Sequence, residues 1–289
     1  MRRRSLLRLL PGVAAMAAAG LLQRGAAAPT ASPRSGATLR WLALADSGSG
    51  DANQRAVGLQ MAAVHRQRPV DLVLLGGDNI YPSGDIALIE STFRRPYAAL
   101  LADGVPFHAV LGNHDIRTAN GNPQVADPAF GMAGRFYNLR RGPVEFLLLD
   151  TNVNADWQRQ LAWLRTVLAR STAPWKVVVG HHPIYSSGLY GNDPGLQARL
   201  AALMQKHGVQ LYINGHEHNY ERSVPIDGIT YLVVGGGGAS LRPVIATAQT
   251  ARCASVHSFA ELEAGPQELR LSAWDKTGRL IDQAVIARR

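Results

Sequence analysis

The chain has one cysteine, Cys253, in 289 residues. A lone thiol forms no internal disulfide, and a structural zinc site built from several cysteines is excluded. The fold must rest on packing or on a metal held by other donors. Lysine is almost as scarce: Lys176, Lys206 and Lys276 are the only three. The formal charge of +9 is therefore arginine, and five arginines fall within the first 28 residues with no acid beside them. Past that segment the balance drops to 9 − 5 = +4, and no basic run exceeds two residues. Nothing here makes a stripe for nucleic acid. Long apolar runs are missing too. The alanine-rich stretch after Arg8 is interrupted by Pro11 and Gly12 and falls short of the roughly 20 apolar residues of a membrane span.

The first 28 residues have a basic start, a weakly apolar middle and small residues at Ala26-Ala27-Ala28. That is the layout of an export signal, with an N-terminal anchor as the other reading. Arg3-Arg4-Ser5-Leu6-Leu7-Arg8 resembles the twin-arginine signal, although general secretory leaders also carry paired arginines by chance. The expectation is an exported protein, periplasmic or secreted. Removal of 1–28 leaves 289 − 28 = 261 residues: a Pro/Ser-rich lead-in over 29–38 and a single domain over 39–289, expected to be a monomer.

Short apolar runs alternate with helical patterns along that domain. Leu39–Ala45, Val70–Leu75, Val105–Leu111, Trp175–Val179, Val209–Asn214 and Thr230–Val234 read as buried strands. Helical spacing occurs over Asp51–Gln67, Ile86–Leu101 (interrupted by Pro96), Asp156–Ala169 and Asp193–His207, with Gly208 as a C-cap. Phe136–Leu139 and Val144–Asp150 suggest a hairpin, a loop is expected around Cys253, and Phe259–Val285 is β-rich. Strands alternating with helices in both halves indicate an α/β fold: two mixed β-sheets face to face with helices outside, a four-layer αββα sandwich.

Polar residues collect at five of the strand ends: Asp46-Ser47-Gly48, Gly77-Asp78-Asn79-Ile80-Tyr81, Gly112-Asn113-His114-Asp115, Gly180-His181-His182 and Gly215-His216-Glu217-His218. Open α/β sheets bind ligands beyond the carboxyl ends of their strands. Taken singly, an aspartate there is an ordinary turn or cap residue. Together the clusters hold five of the nine histidines, and mixed oxygen and imidazole donors suit iron, manganese or zinc.

These clusters, in this order, resemble the five motifs of the purple acid phosphatases, a branch of the calcineurin-like metallophosphoesterases. The resemblance implies a metallophosphoesterase fold and a dinuclear centre of Fe(III) plus a divalent ion (Fe, Zn or Mn). Asp46, Asp78, Tyr81 and His218 would hold the first metal. Asp78, Asn113, His181 and His216 would hold the second, with Asp78 bridging. The wider superfamily has a histidine ligand where this chain has Gly48, and Tyr81 is the replacement donor.

The resemblance also implies hydrolysis of phosphate monoesters by a metal-bound hydroxide, on a small phosphorylated substrate. A phosphodiesterase or nucleotide hydrolase on the same centre, or a non-catalytic phosphate- or metal-binding protein, are the other readings. His114 is expected to stabilise phosphate charge or protonate the leaving oxygen, with Asp115 orienting it; a purely structural histidine is the alternative. His182 either lines the pocket or packs beside it. Tyr185, Tyr190 and Tyr220 flank the motifs, and Glu217 is expected to point away from the metals.

Overall fold

Successive side chains of the first strand go to opposite faces. Trp41 and Ala43 enter one apolar cluster, and Leu42 and Leu44 enter another. This period of two, with both sets apolar, is what a strand covered on both faces requires. A computed structural model describes residues 38–288. The expected leader, 1–28, and all of the lead-in except Thr38 lie outside the described residues.

The strands in chain order are β1 (Leu39–Leu44), β2 (Leu72–Leu75), β3 (Phe107–Ala109), β4 (Tyr137–Arg141), β5 (Val144–Leu148), β6 (Trp175–Val179), β7 (Leu211–Asn214), β8 (Tyr220–Ser223), β9 (Thr230–Val234), β10 (Thr250–Ala254), β11 (Ser258–Ala264), β12 (Glu268–Asp275) and β13 (Leu280–Ala287). One sheet runs β13-β12-β11-β1-β2-β3 and the other β10-β8-β9-β7-β6-β5-β4. Each is mixed: β1, β2 and β3 are parallel, as are β5, β6, β7 and β9, while the flanking strands pair antiparallel.

The central layer of core lies between the sheets, where Trp41 meets Phe146 edge-on at 5.2 Å. Outside the first sheet, α1 (Ala52–Gln67) and α2 (Ala98–Ala102) bring Val57, Met61 and Leu100 onto Leu42, Leu44 and Val73, and the short α3 (Asn122–Ala126) follows β3 in the chain. Outside the second, α4 (Trp157–Arg170), α5 (Pro194–Leu196) and α6 (Ala202–Lys206) contribute Leu164, Leu168, Leu196 and Met204 against Val178 and Tyr212. The result is the expected αββα sandwich.

One expectation is sharpened and one changes. Pro96 interrupts the segment 86–101 as expected, because a proline lacks the N–H that would continue the ladder: a tight turn at Ile86–Leu88 and a widened turn at Glu90–Arg94 precede it and α2 follows. Cys253 is not in a loop but on β10, an edge strand paired only with β8. Its residues are mostly polar or small and half-exposed, so no apolar pattern marks it.

Candidate metal centre

All five polar clusters converge at one end of the sandwich, where the carboxyl ends of the parallel strands β1, β2, β3, β6 and β7 lie. The loops after β1, β2 and β3 carry Asp46, Asp78, Tyr81 and Asn113. Those after β6 and β7 carry His181, His216 and His218. Every oxygen donor thus comes from one sheet and every imidazole from the other.

Tyr81 Oη lies 3.2 Å from Asp46 Oδ1, 2.9 Å from Asp78 Oδ2 and 3.2 Å from His218 Nε2. Asn113 Oδ1 lies 3.0 Å from both His181 Nε2 and His216 Nδ1. Asp78 joins the two groups, because the same Oδ2 that meets Tyr81 is 3.6 Å from His181 Nε2. Backbone donors hold the outer oxygens: His114 N reaches Asp78 Oδ1 and His216 N reaches Asp46 Oδ2, both at 2.8 Å. His181 Nδ1 faces Gly76 O and His218 Nδ1 faces Ser240 O. A carbonyl only accepts, so Nδ1 carries the proton in both rings and Nε2 is left with a lone pair aimed at the centre.

The backbone is bent to do this. Asp46, Asp78 and His216 have φ of 54°, 53° and 69°, a left-handed conformation that costs a non-glycine residue about 1–3 kcal/mol and clusters at functional sites. Gly235 lets the β9 loop close over the site. A Cβ there would lie 2.0 Å from Glu217 O and 2.7 Å from Asp46 Oδ2.

The donors fit cations. Burial, reinforced by Asp78, pushes Asp46 up to about 6 despite His218. Burial beside two carboxylates drives the Tyr81 phenol far above its ordinary value. Its hydroxyl is within hydrogen-bond reach of two carboxylates that no arginine or lysine pairs with among the described residues. Burial and neighbouring imidazoles push His216 down to about 2 and lower His181, so both rings stay neutral and can ligate. Burial opposes protonation of His218, but Asp46 outweighs it and raises that ring.

The remaining expected residues divide. His114 is half-buried at the mouth; Nδ1 donates to Pro82 O at 2.7 Å, and Nε2 faces Arg117 Nη2 at 3.1 Å. Asp115 does not orient it, which corrects the expectation. The Asp115 carboxylate turns inward and accepts from the backbone N–H groups of Asn79, Ile80 and Gly112 and from the Asn79 and Gln124 amides. Burial and Asp78 push it up to about 7 despite those donors. Glu217 points away as expected, buried and accepting from Tyr190 N. His182 is brought beside His181 and His216, its Nδ1 2.9 Å from Thr151 Oγ1.

Sequence reasoning missed Thr151, Arg117 and Arg242. Asp150-Thr151-Asn152 follows β5 and is a sixth polar strand end, the signal that could have found Thr151. Arg242 donates to His216 O and lies over the Tyr190 ring, which stacks on His216 at 4.6 Å.

Fold and site together define a metal-dependent phosphoesterase. The chain belongs to the calcineurin-like phosphoesterase family, which it matches over residues 39–220. It is 30% identical over 233 residues to purple acid phosphatase 3 of Arabidopsis thaliana, covering 70% of this chain and 63% of that protein. Tartrate-resistant acid phosphatase type 5 of Oryctolagus cuniculus is 27% identical over 87% of this chain and 92% of its own length. The fold is shared with a purple acid phosphatase from yellow lupin (Lupinus luteus) seeds, at a TM-score of 0.76 and 22% identity, over 89% of this chain and 55% of that one.

Proposed function

We propose that the protein is an acid phosphatase that hydrolyses phosphate monoesters at a dinuclear metal centre. The observation that carries this reading is the convergence of two donor sets on a shared Asp78. Asp46, Asp78, Tyr81 and His218 would hold one cation, and Asp78, Asn113, His181 and His216 the other. Once Tyr81 gives up its proton the first set has anionic donors at Asp46, Asp78 and Tyr81, which suits Fe(III). The second has Asp78 with neutral amide and imidazole groups, which suits Fe(II), Zn or Mn. When bound, the cations would neutralise phosphate charge and acidify a water.

The chain's own residues supply the rest. Asp78 and Asp46 are fixed by backbone N–H groups, so the donors are set before substrate arrives. The exposed guanidinium of Arg117, set against His114 Nε2, gives the mouth a cationic side suited to phosphate oxygens. The names of the relatives, acid phosphatases, support the same activity. The arginine-rich leader supports export, and the twin-arginine route suits a chain that acquires metals before crossing.

The test is release of phosphate from p-nitrophenyl phosphate against its bis-ester at about pH 5 and about pH 7, with metal analysis and a visible spectrum. Preferred turnover of the monoester by a coloured, iron-containing protein is expected. Turnover of the bis-ester alone would overturn the substrate class. A colourless, active di-zinc protein would overturn the metal assignment.

A further inference from the structure

His181 and His182 are adjacent in sequence, yet their rings are set in opposite protonation patterns. His181 has its proton on Nδ1, imposed by the Gly76 carbonyl at 3.0 Å. His182 is governed by Thr151. The Thr151 hydroxyl has one hydrogen and two lone pairs. Backbone N–H groups of His181 and His182 both donate to Oγ1, at 3.1 and 3.0 Å. With its lone pairs engaged, the hydroxyl has its hydrogen left for its third neighbour, His182 Nδ1 at 2.9 Å. That nitrogen is an acceptor, so the neutral ring carries its proton on Nε2.

By position His182 resembles a third imidazole ligand of the second cation. One of its ring nitrogens lies within 4.8 Å of a ring nitrogen of His181 and of His216, and its ring centroid is 4.6 Å from that of His216. Its hydrogen bonding excludes that role. A ligating nitrogen needs a free lone pair; Thr151 occupies the one on Nδ1, and Nε2 carries the proton. What the ring offers instead is an N–H donor fixed beside the ligands, half-open to solvent.

Resting on the phosphoesterase reading, we propose that His182 is a catalytic residue that donates Nε2–H to a phosphate oxygen of the substrate. Thr151, buried beneath it, is the positioning residue that sets the tautomer. No proton is transferred; the hydrogen bond is made to a charged oxygen and strengthens as charge grows there.

The experiment uses zinc-loaded protein and inorganic phosphate as the probe. Long-range 1H–15N spectra of the His182 ring are expected to place its proton on Nε2 in the wild type and to give mixed tautomers in Thr151→Val. His182→Ala is expected to weaken phosphate binding, measured by titration calorimetry, about tenfold, the loss of one hydrogen bond to a charged group, with two metals per chain retained. Thr151→Val is expected to weaken phosphate similarly, and Thr151→Ser, which keeps the hydroxyl, to restore it. A proton found on Nδ1, loss of the second metal in His182→Ala, or unchanged phosphate affinity in that variant would each overturn the proposal. Because tautomer, metal content and phosphate binding are read without turnover, an inactive wild type would sink the phosphatase reading separately.

Discussion

Gly48 and Asn79 stand backbone to backbone: a Cβ placed on Gly48 would lie 2.1 Å from the Asn79 carbonyl oxygen and 2.5 Å from Ile80 N. Gly48 N also donates to Asp78 O, and Tyr81 N to Gly48 O. The loop that delivers Tyr81 therefore occupies the space a side chain at 48 would need. A histidine at position 48 and this placement of Tyr81 are mutually exclusive. Gly48→Ala is expected to cost first-site metal, read as metals per chain, and to lower Tm. Gly48→His combined with Tyr81→Phe is expected to fail likewise, because the clash is with backbone.

Tyr81→Phe removes one oxygen and little packing. It is expected to abolish visible absorption and to weaken the first cation at least tenfold, the scale of one lost charged contact. The metal-free variant should melt within a few degrees of metal-free wild type. Unchanged colour would sink the assignment of this donor.

Asp115 satisfies buried backbone donors rather than His114. Asp115→Ala leaves the Asn79, Ile80 and Gly112 N–H groups without their acceptor, at an expected loss of about 3 kcal/mol. Activity and Tm should fall together. A variant that lost activity at wild-type Tm would restore the orienting role.

Removal of the metals leaves Asp46 and Asp78 buried with only imidazole, phenol and backbone partners. Added divalent metal at about 100 times its Kd is expected to stabilise the chelated protein by about 2.7 kcal/mol. Thermal melts across a metal titration measure this, and a flat Tm would contradict it.

Acid sensitivity has a component remote from the site. Asp275 closes the turn from β12 to β13, accepting from Thr277 N and Oγ1 and from Arg279 N and Nε. Partial burial alone would raise it, but Thr277 and Arg279 outweigh that and hold it at about 2, against an ordinary value of 3.8. Between those values the unfolded chain binds the proton and the folded chain does not. Its contribution is complete above about pH 4 and is lost as pH falls toward about 2. Asp275→Asn should flatten that part of the stability profile, measured by denaturant unfolding of metal-free protein.

The sandwich and the meeting of the polar strand ends were legible because parallel strands covered on both faces read as apolar runs, most of them ending in glycine and a polar cluster. What the residues concealed was direction. His114 and Asp115 are neighbours, yet the turn at Asp115–Arg117 sends one to the mouth and the other inward. Thr151 was hidden because a threonine after a strand has many ordinary uses, and its role exists only through the His181 and His182 backbone. β10 was hidden because an edge strand can be satisfied by backbone pairing without an apolar face.

The division of donors between the sheets turns the apolar filling into a spacer. Oxygens ride on one slab and imidazoles on the other, and the thickness of packed side chains between them, Trp41 against Phe146 included, gauges how far apart the halves of each donor set stand. A change in that filling would shift all the imidazoles together relative to all the oxygens, so on the dinuclear reading the choice of cation would answer to residues outside both donor sets.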